Sequence, residues 1–71
     1  MIGGFPKRLQ QLRERKRINR KVLSELCGLS KNSISRYERG DCEPKASALY
    51  ILADFFGVTV DYLLCRGEEE K

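Results

Sequence analysis

The chain has 71 residues, a net charge of +4 and 41% hydrophobic residues, which fits one soluble domain and excludes a second core or a disordered chain. No apolar run approaches the roughly 20 residues a membrane span needs, and residues 1–4 carry no signal-peptide pattern, so a cytoplasmic protein without a membrane partner is expected. The charge is uneven: twelve Lys/Arg against five Asp/Glu up to Lys45, then two against five, the asymmetry of a one-faced polyanion binder.

Phe5, Leu9 and Leu12 recur at i, i+4 and i+7, and Pro6 suits a first turn, so a first helix is predicted over 6–16. Asn19 is a good N-cap for a second helix over 20–27, with Val22, Leu23, Leu26 and Cys27 as its apolar stripe and Gly28 as its stop. Only Leu29 separates Gly28 from the next cap, Ser30, so a third helix is predicted over 31–39, closed by Gly40. Two short helices joined by a tight turn containing glycine make a helix-turn-helix. Pro44 holds the following loop away from helical angles, and a fourth helix is predicted over 46–56, with Leu49, Leu52, Ala53 and Phe56 facing the core. Gly57 stops it, and Thr59 caps a last helix to about Cys65 that carries Val60, Leu63 and Leu64. The expectation is one compact, all-α, five-helix domain over 1–67, with 68–71 as a frayed acidic tail.

Cys27, Cys42 and Cys65 are odd in number, form no CxxC pair and have no histidine to complete a zinc site. They read as reduced cysteines, with Cys27 and Cys65 on apolar helix faces. The lack of histidine also removes the commonest general base, and no glycine-rich phosphate loop, paired carboxylates or activated serine is visible. No enzyme activity, metal, cofactor or small-molecule ligand is expected.

Chemistry concentrates on the third helix. At about 100° per residue, Ile34 and Tyr37 turn one way and Asn32, Ser35, Arg36 and Arg39 the other. Arginine can fork onto O6 and N7 of guanine, and asparagine onto N6 and N7 of adenine. Lys31 and Ser33 flank this face near the helix start, where a major-groove helix touches base edges. Any amphipathic surface helix has a polar outer face; its place straight after a tight turn is what favours DNA. Arg20 and Lys21 stand in the first turn of the second helix, where a cation costs ~0.3–1 kcal/mol against the helix dipole. An arriving phosphate would reverse that cost, so both are candidate phosphate clamps, with Ser30 and Arg39 as further phosphate contacts.

Four stretches carry a family likeness: Ile18-Asn19-Arg20-Lys21-Val22-Leu23-Ser24-Glu25-Leu26-Cys27-Gly28-Leu29-Ser30, Ser33-Ile34-Ser35-Arg36-Tyr37-Glu38-Arg39-Gly40, Glu43-Pro44 with Leu49, Leu52, Ala53 and Gly57, and Asp61-Tyr62-Leu63-Leu64. Through them the chain resembles the lambda-repressor and Cro-type helix-turn-helix family from Leu9 to Leu64. The resemblance implies that Lys31, Asn32 and Arg36 touch bases, with Ser33 and Ser35 adjacent. It implies a salt bridge between Arg13 and Glu38 that holds the reading helix, and a dimer contact at Tyr62 and its neighbours. Where the family usually has a glutamine that binds phosphate and supports a base-reading side chain, this sequence has Arg20, which keeps the phosphate contact. Its usual small alanine is Ser24, which still permits close helix packing.

The expected function is therefore sequence-specific binding of double-stranded DNA by a bacterial or phage-encoded transcriptional regulator, a repressor acting as a homodimer. Ile51 and Phe55, four apart on a flank of the fourth helix, supply apolar material for the dimer contact together with Val60 and Tyr62. The competing expectation is an antitoxin or protein-interaction adaptor on the same fold. That reading calls for a large exposed apolar surface and a reading face poor in base-contacting residues.

Overall fold

The computed structural model describes residues 4–66. Its helices, in chain order, are α1 (Phe5–Arg15), α2 (Arg20–Leu26), α3 (Ser33–Arg39), α4 (Ala46–Phe56) and α5 (Val60–Leu63), and the described residues contain no strand. None of these helices is long and apolar enough to cross a membrane. The acidic tail lies outside the described residues.

α1 is the centre of the assembly, packing on α3 along one side and on α5 along another. Its stripe of Phe5, Leu9 and Leu12 is buried, and the Phe5 ring meets Tyr37 of α3 edge-on at 6.0 Å between centroids. Leu23, Ile34, Leu52 and Leu63, one from each of the other helices, are completely buried and close the same core. Removing about one such leucine's methylenes would cost ~2–5 kcal/mol, so each helix is held mainly by this shared core.

The turn between α2 and α3 is built by backbone geometry. Asn19 caps α2 by accepting from the Val22 N–H at 2.8 Å. At the other end Gly28 adopts φ 70°, a conformation that side chains resist. This lets Leu29 N–H reach the Ser24 carbonyl at 2.8 Å and Gly28 N–H reach that of Glu25 at 3.2 Å, the paired bonds of a Schellman ending. The chain is thereby redirected within a few residues and α3 is laid across α2.

α3 begins at Ser33, later than the sequence predicts, so Lys31 and Asn32 stand in the turn. Ser30 does not cap it: its hydroxyl is hydrogen-bonded to that of Ser33 at 2.7 Å. Leu26 is not part of the buried stripe of α2 but is 59% exposed, while Ser24 is fully buried. The inward arc of this short helix is occupied by Leu23, Ser24 and Cys27, and Leu26 lies roughly 100° from its centre. Cys65 is also displaced from expectation. α5 ends at Leu63, and Cys65 follows it, exposed, with φ 61°. There Arg66 N–H bonds the Asp61 carbonyl at 2.7 Å, ending α5 as Gly28 ends α2. The Cys65 sulfur sits against Gly4, where an added Cβ would approach it to 2.7 Å, so a larger residue there would force the sulfur to shift.

Candidate nucleic-acid interface

α3 presents a polar crest outward while Ile34 and Tyr37 anchor it from beneath. Two open grooves flank the crest. One, of about 540 Å³, is lined by Arg13, Asn19, Arg20, Lys21, Lys31, Asn32 and Ser35. The other, of about 480 Å³, includes Ser30, Ser33, Arg36, Lys45 and Ser47 in its walls. The structure thus gathers Lys31, Asn32 and Ser35 with the proposed phosphate clamps Arg20 and Lys21, and places Ser33, Ser30 and Arg36 on the opposite flank.

Asn32 occupies the N-cap position of α3 yet makes no side-chain cap bond, so its amide is available to a ligand. The Arg36 side chain is exposed and makes no ion pair among the described residues. Arg39 is exposed too, but its Nε donates to Asp41 at 2.9 Å, so a phosphate would compete with that carboxylate. Ser33 and Ser35 are half-buried on either side of the crest. None of α1 to α4 has an acidic residue in its first turn, which leaves their positive ends uncompensated.

Arg13 and Glu38 form the pair the family likeness implies. Arg13 Nε donates to Glu38 Oε2 at 2.7 Å and Nη2 to Oε1 at 3.2 Å, a two-pronged bond between α1 and α3. The third arm of the guanidinium, Nη1, donates to the Ile18 carbonyl at 2.9 Å and holds the link into α2. The hydrogen bond to Glu38 is the main reason the Arg13 pKa rises, ahead of the opposing effect of burial. Sequence reasoning missed a second partner: Arg20 Nε also donates to Glu38 Oε1, at 2.9 Å. It also missed Lys45 and Ser47, although Lys45 at the N-cap of α4 repeats the signal of Arg20 and Lys21, a cation at a helix start.

The residues assigned to a dimer contact are unequally available. Ile51 is 39% exposed, whereas Phe55 and Val60 are half-buried against the core. Phe55 packs edge-on against Phe56 at 5.1 Å, with the Lys16 ammonium 5.5 Å from its ring. Tyr62 is mainly a core residue, 9% exposed. Arg8 covers its ring at 3.9 Å and donates to its carbonyl at 2.8 Å. Only its rim is left for a partner.

The helix-turn-helix family model matches residues 9–63, most of the described fold. The chain therefore belongs to the helix-turn-helix family of lambda-repressor and Cro type, a class of DNA-binding transcriptional regulators. It is 40% identical over 65 residues to the HTH-type transcriptional activator BcrR of Enterococcus faecalis, covering 92% of this chain and 31% of that protein. It is 36% identical over 64 residues to the HTH-type transcriptional regulator AnsR of Bacillus subtilis, covering 90% and 55%. The cryptic phage CTXphi transcriptional repressor RstR of Vibrio cholerae is 30% identical over 64 residues, covering 90% and 58%. The chain thus spans from about a third to somewhat over half of these relatives' lengths. No solved structure matches it.

Proposed function

We propose that this chain is a sequence-specific transcriptional regulator that inserts α3 into the major groove of double-stranded DNA as a homodimer and represses by occupying its operator. The observation that carries this reading is the crest at α3: Asn32 and Arg36, with no competing side-chain bond among the described residues, each line one of the two flanking grooves, the first beside Lys21 and Lys31 and the second beside Lys45. Cations on both flanks suit the two phosphate backbones that border a major groove, and the crest between them suits base edges. Lys31, Ser33 and Ser35 complete the reading face; Arg20, Lys21, Ser30 and Arg39 serve phosphates. The activity is binding alone, with no catalytic step.

One short helix covers few base pairs, so useful specificity calls for two, about 34 Å apart in a two-fold dimer on an inverted repeat. Ile51 and Phe55 of α4 supply the apolar centre of that contact, with Val60 and the rim of Tyr62 beside them. Selection from random duplexes tests the whole reading. An enriched inverted repeat is expected; a pool that stays random after repeated rounds would overturn it. Relatives include an activator and a repressor, and a promoter fusion carrying the selected site reads the sign, with falling output expected.

A further inference from the structure

Ser30 and Ser33 close one turn twice over. The Ser33 N–H donates to the Ser30 carbonyl at 3.0 Å, and the two hydroxyls are hydrogen-bonded to each other at 2.7 Å. Between them stand Lys31 and Asn32, both exposed. Asn32 has φ -102° and ψ 0°, close to the third residue of a type I turn. Neither candidate cap secures the start of α3: Asn32 makes no side-chain cap bond, and the Ser30 hydroxyl is engaged by Ser33. Ser33 also hydrogen-bonds the phenol of Tyr37, opposing the rise that burial gives that group. Tyr37 is 8% exposed and rests edge-on against Phe5 of α1, so the turn is anchored in the core through one serine.

We infer that Ser33 is a positioning residue of the reading face: its hydroxyl ties Ser30 to the first turn of α3 and so fixes the turn from which Lys31 and Asn32 reach base edges. This rests on the DNA-binding reading above and gives Ser33 a supporting part in it, in place of a contact of its own. A serine hydroxyl has one hydrogen to donate and two lone pairs, and two internal partners occupy most of that capacity. The placement agrees. Ser30, Ser33 and Tyr37 line the second groove, whereas Lys31 and Asn32 line the first. The hydroxyl pair therefore holds the turn from the flank opposite the side chains it aims. A side chain carried on a turn lacks the regular helical bonds that would fix its base, so its aim depends on what closes the turn. Closing it before DNA arrives removes an ordering cost from binding.

The test combines selection from random duplexes with a salt series on the selected operator. The proteins compared are wild type, Ser33→Ala, Ser33→Thr, Lys31→Ala and Asn32→Ala, each first shown by thermal melting to be folded. Ser33→Ala should weaken preference by about threefold or more, the size of coupling between groups in one network. The loss should fall on the base pairs where Lys31→Ala or Asn32→Ala loses preference, with the salt slope unchanged. Ser33→Thr, which keeps a hydroxyl, should retain the preference. At the base pair lost by Asn32→Ala, adding Ser33→Ala should change nothing further. Loss at a base pair of its own would overturn the positioning role and make Ser33 a direct reader, and a lower slope would make it a phosphate contact. Equal weakening at every position would leave it a residue of the fold alone, and undiminished preference would leave it no part at all; both overturn the role. Ser30→Ala removes the other hydroxyl and should weaken the same base pairs. It decides the matter if Ser33→Ala does not fold, and unchanged preference there would be contrary. Failure of the underlying reading looks different: wild type itself would show no operator preference.

Discussion

The Arg13 guanidinium and the Glu38 carboxylate meet as a fork between α1 and α3, at 2.7 and 3.2 Å, with Glu38 only 2% exposed at its side chain. A buried carboxylate is tolerable only while its partners remain, and stripping one away costs about 3–5 kcal/mol, much more than a surface pair is worth. Arg13→Met should therefore lower unfolding stability by about 3 kcal/mol in a urea titration. Arg13→Lys, which keeps charge but loses the fork, should fall between. A loss below about 1 kcal/mol for Arg13→Met would show that the pair holds α3 no better than a surface ion pair. Because the hydrogen bond to Glu38 raises the Arg13 pKa above the ordinary arginine value, its contribution is fully present below that ordinary value and lost only as pH rises through the folded one. The pair's arginine therefore adds no pH slope between about pH 5 and 9.

Ser24 gives the opposite prediction. It is fully buried, and its hydroxyl has no hydrogen-bond partner among the described residues. An unsatisfied buried hydroxyl costs about 1–3 kcal/mol, and alanine fills nearly the same space without it. Ser24→Ala should raise stability by about 1 kcal/mol in thermal melts, net of the small loss of packing. A destabilised alanine variant would mean that the hydroxyl is satisfied after all.

The cysteines separate by exposure. Cys42 and Cys65 are exposed and Cys27 is buried, so an aromatic disulfide reagent should titrate two thiols quickly and the third only as the domain unfolds. Burial pushes the Cys27 thiol above its ordinary 9.0, because the thiolate is disfavoured away from water. Its folded-state pKa exceeds the unfolded one, so the stabilisation is present below about pH 9 and is lost as pH rises through the folded value. Tyr37 is shifted in the same direction from 10.0, chiefly by burial, and extends the loss upward. Cys27→Ala should be less stable near neutrality yet lose less stability between about pH 8 and 10 than wild type. Equal alkaline losses in the two proteins would remove Cys27 from the explanation.

The dimer is tested at Ile51, whose exposure allows a polar replacement without opening the core. Sedimentation of wild type with a palindromic duplex should show two chains per duplex. Ile51→Asp should weaken that species by about tenfold, the effect of losing one well-placed apolar contact, while leaving the melting curve nearly unchanged. A strict 1:1 complex on a two-half-site operator would sink the dimer.

Much of this was legible in the sequence because local signals and packing agree. The fourth helix, predicted over 46–56, is Ala46–Phe56 in the structure, since Pro44 before it and Gly57 after it leave no other bounds. The glycine at 28 announced its turn for the same reason. Leu26 and Cys65 were misjudged because apolar character says which residues are welcome inside, not which ones a short helix has room to bury. At α2 the small Ser24 takes an inward position and Leu26 is left outside. The early start assigned to α3 came from reading Ser30 as a cap, when its hydroxyl is engaged with Ser33 in the turn. The polar outer residues of the third helix could be named from spacing alone, but their division between two grooves could not, because it depends on how α4 and the end of α1 stand beside α3. The Arg20–Glu38 bond was likewise hidden, as eighteen residues separate partners that only the fold brings together.

The central claim, that the crest of α3 reads base pairs, is tested most directly by repeating selection from random duplexes with Asn32→Ala and Arg36→Ala. Each variant, if folded, should return the wild-type inverted repeat with preference lost at one defined position in each half-site, equivalent to about 1–3 kcal/mol of discrimination there. Recovery of the wild-type consensus at undiminished strength by both variants would contradict the account.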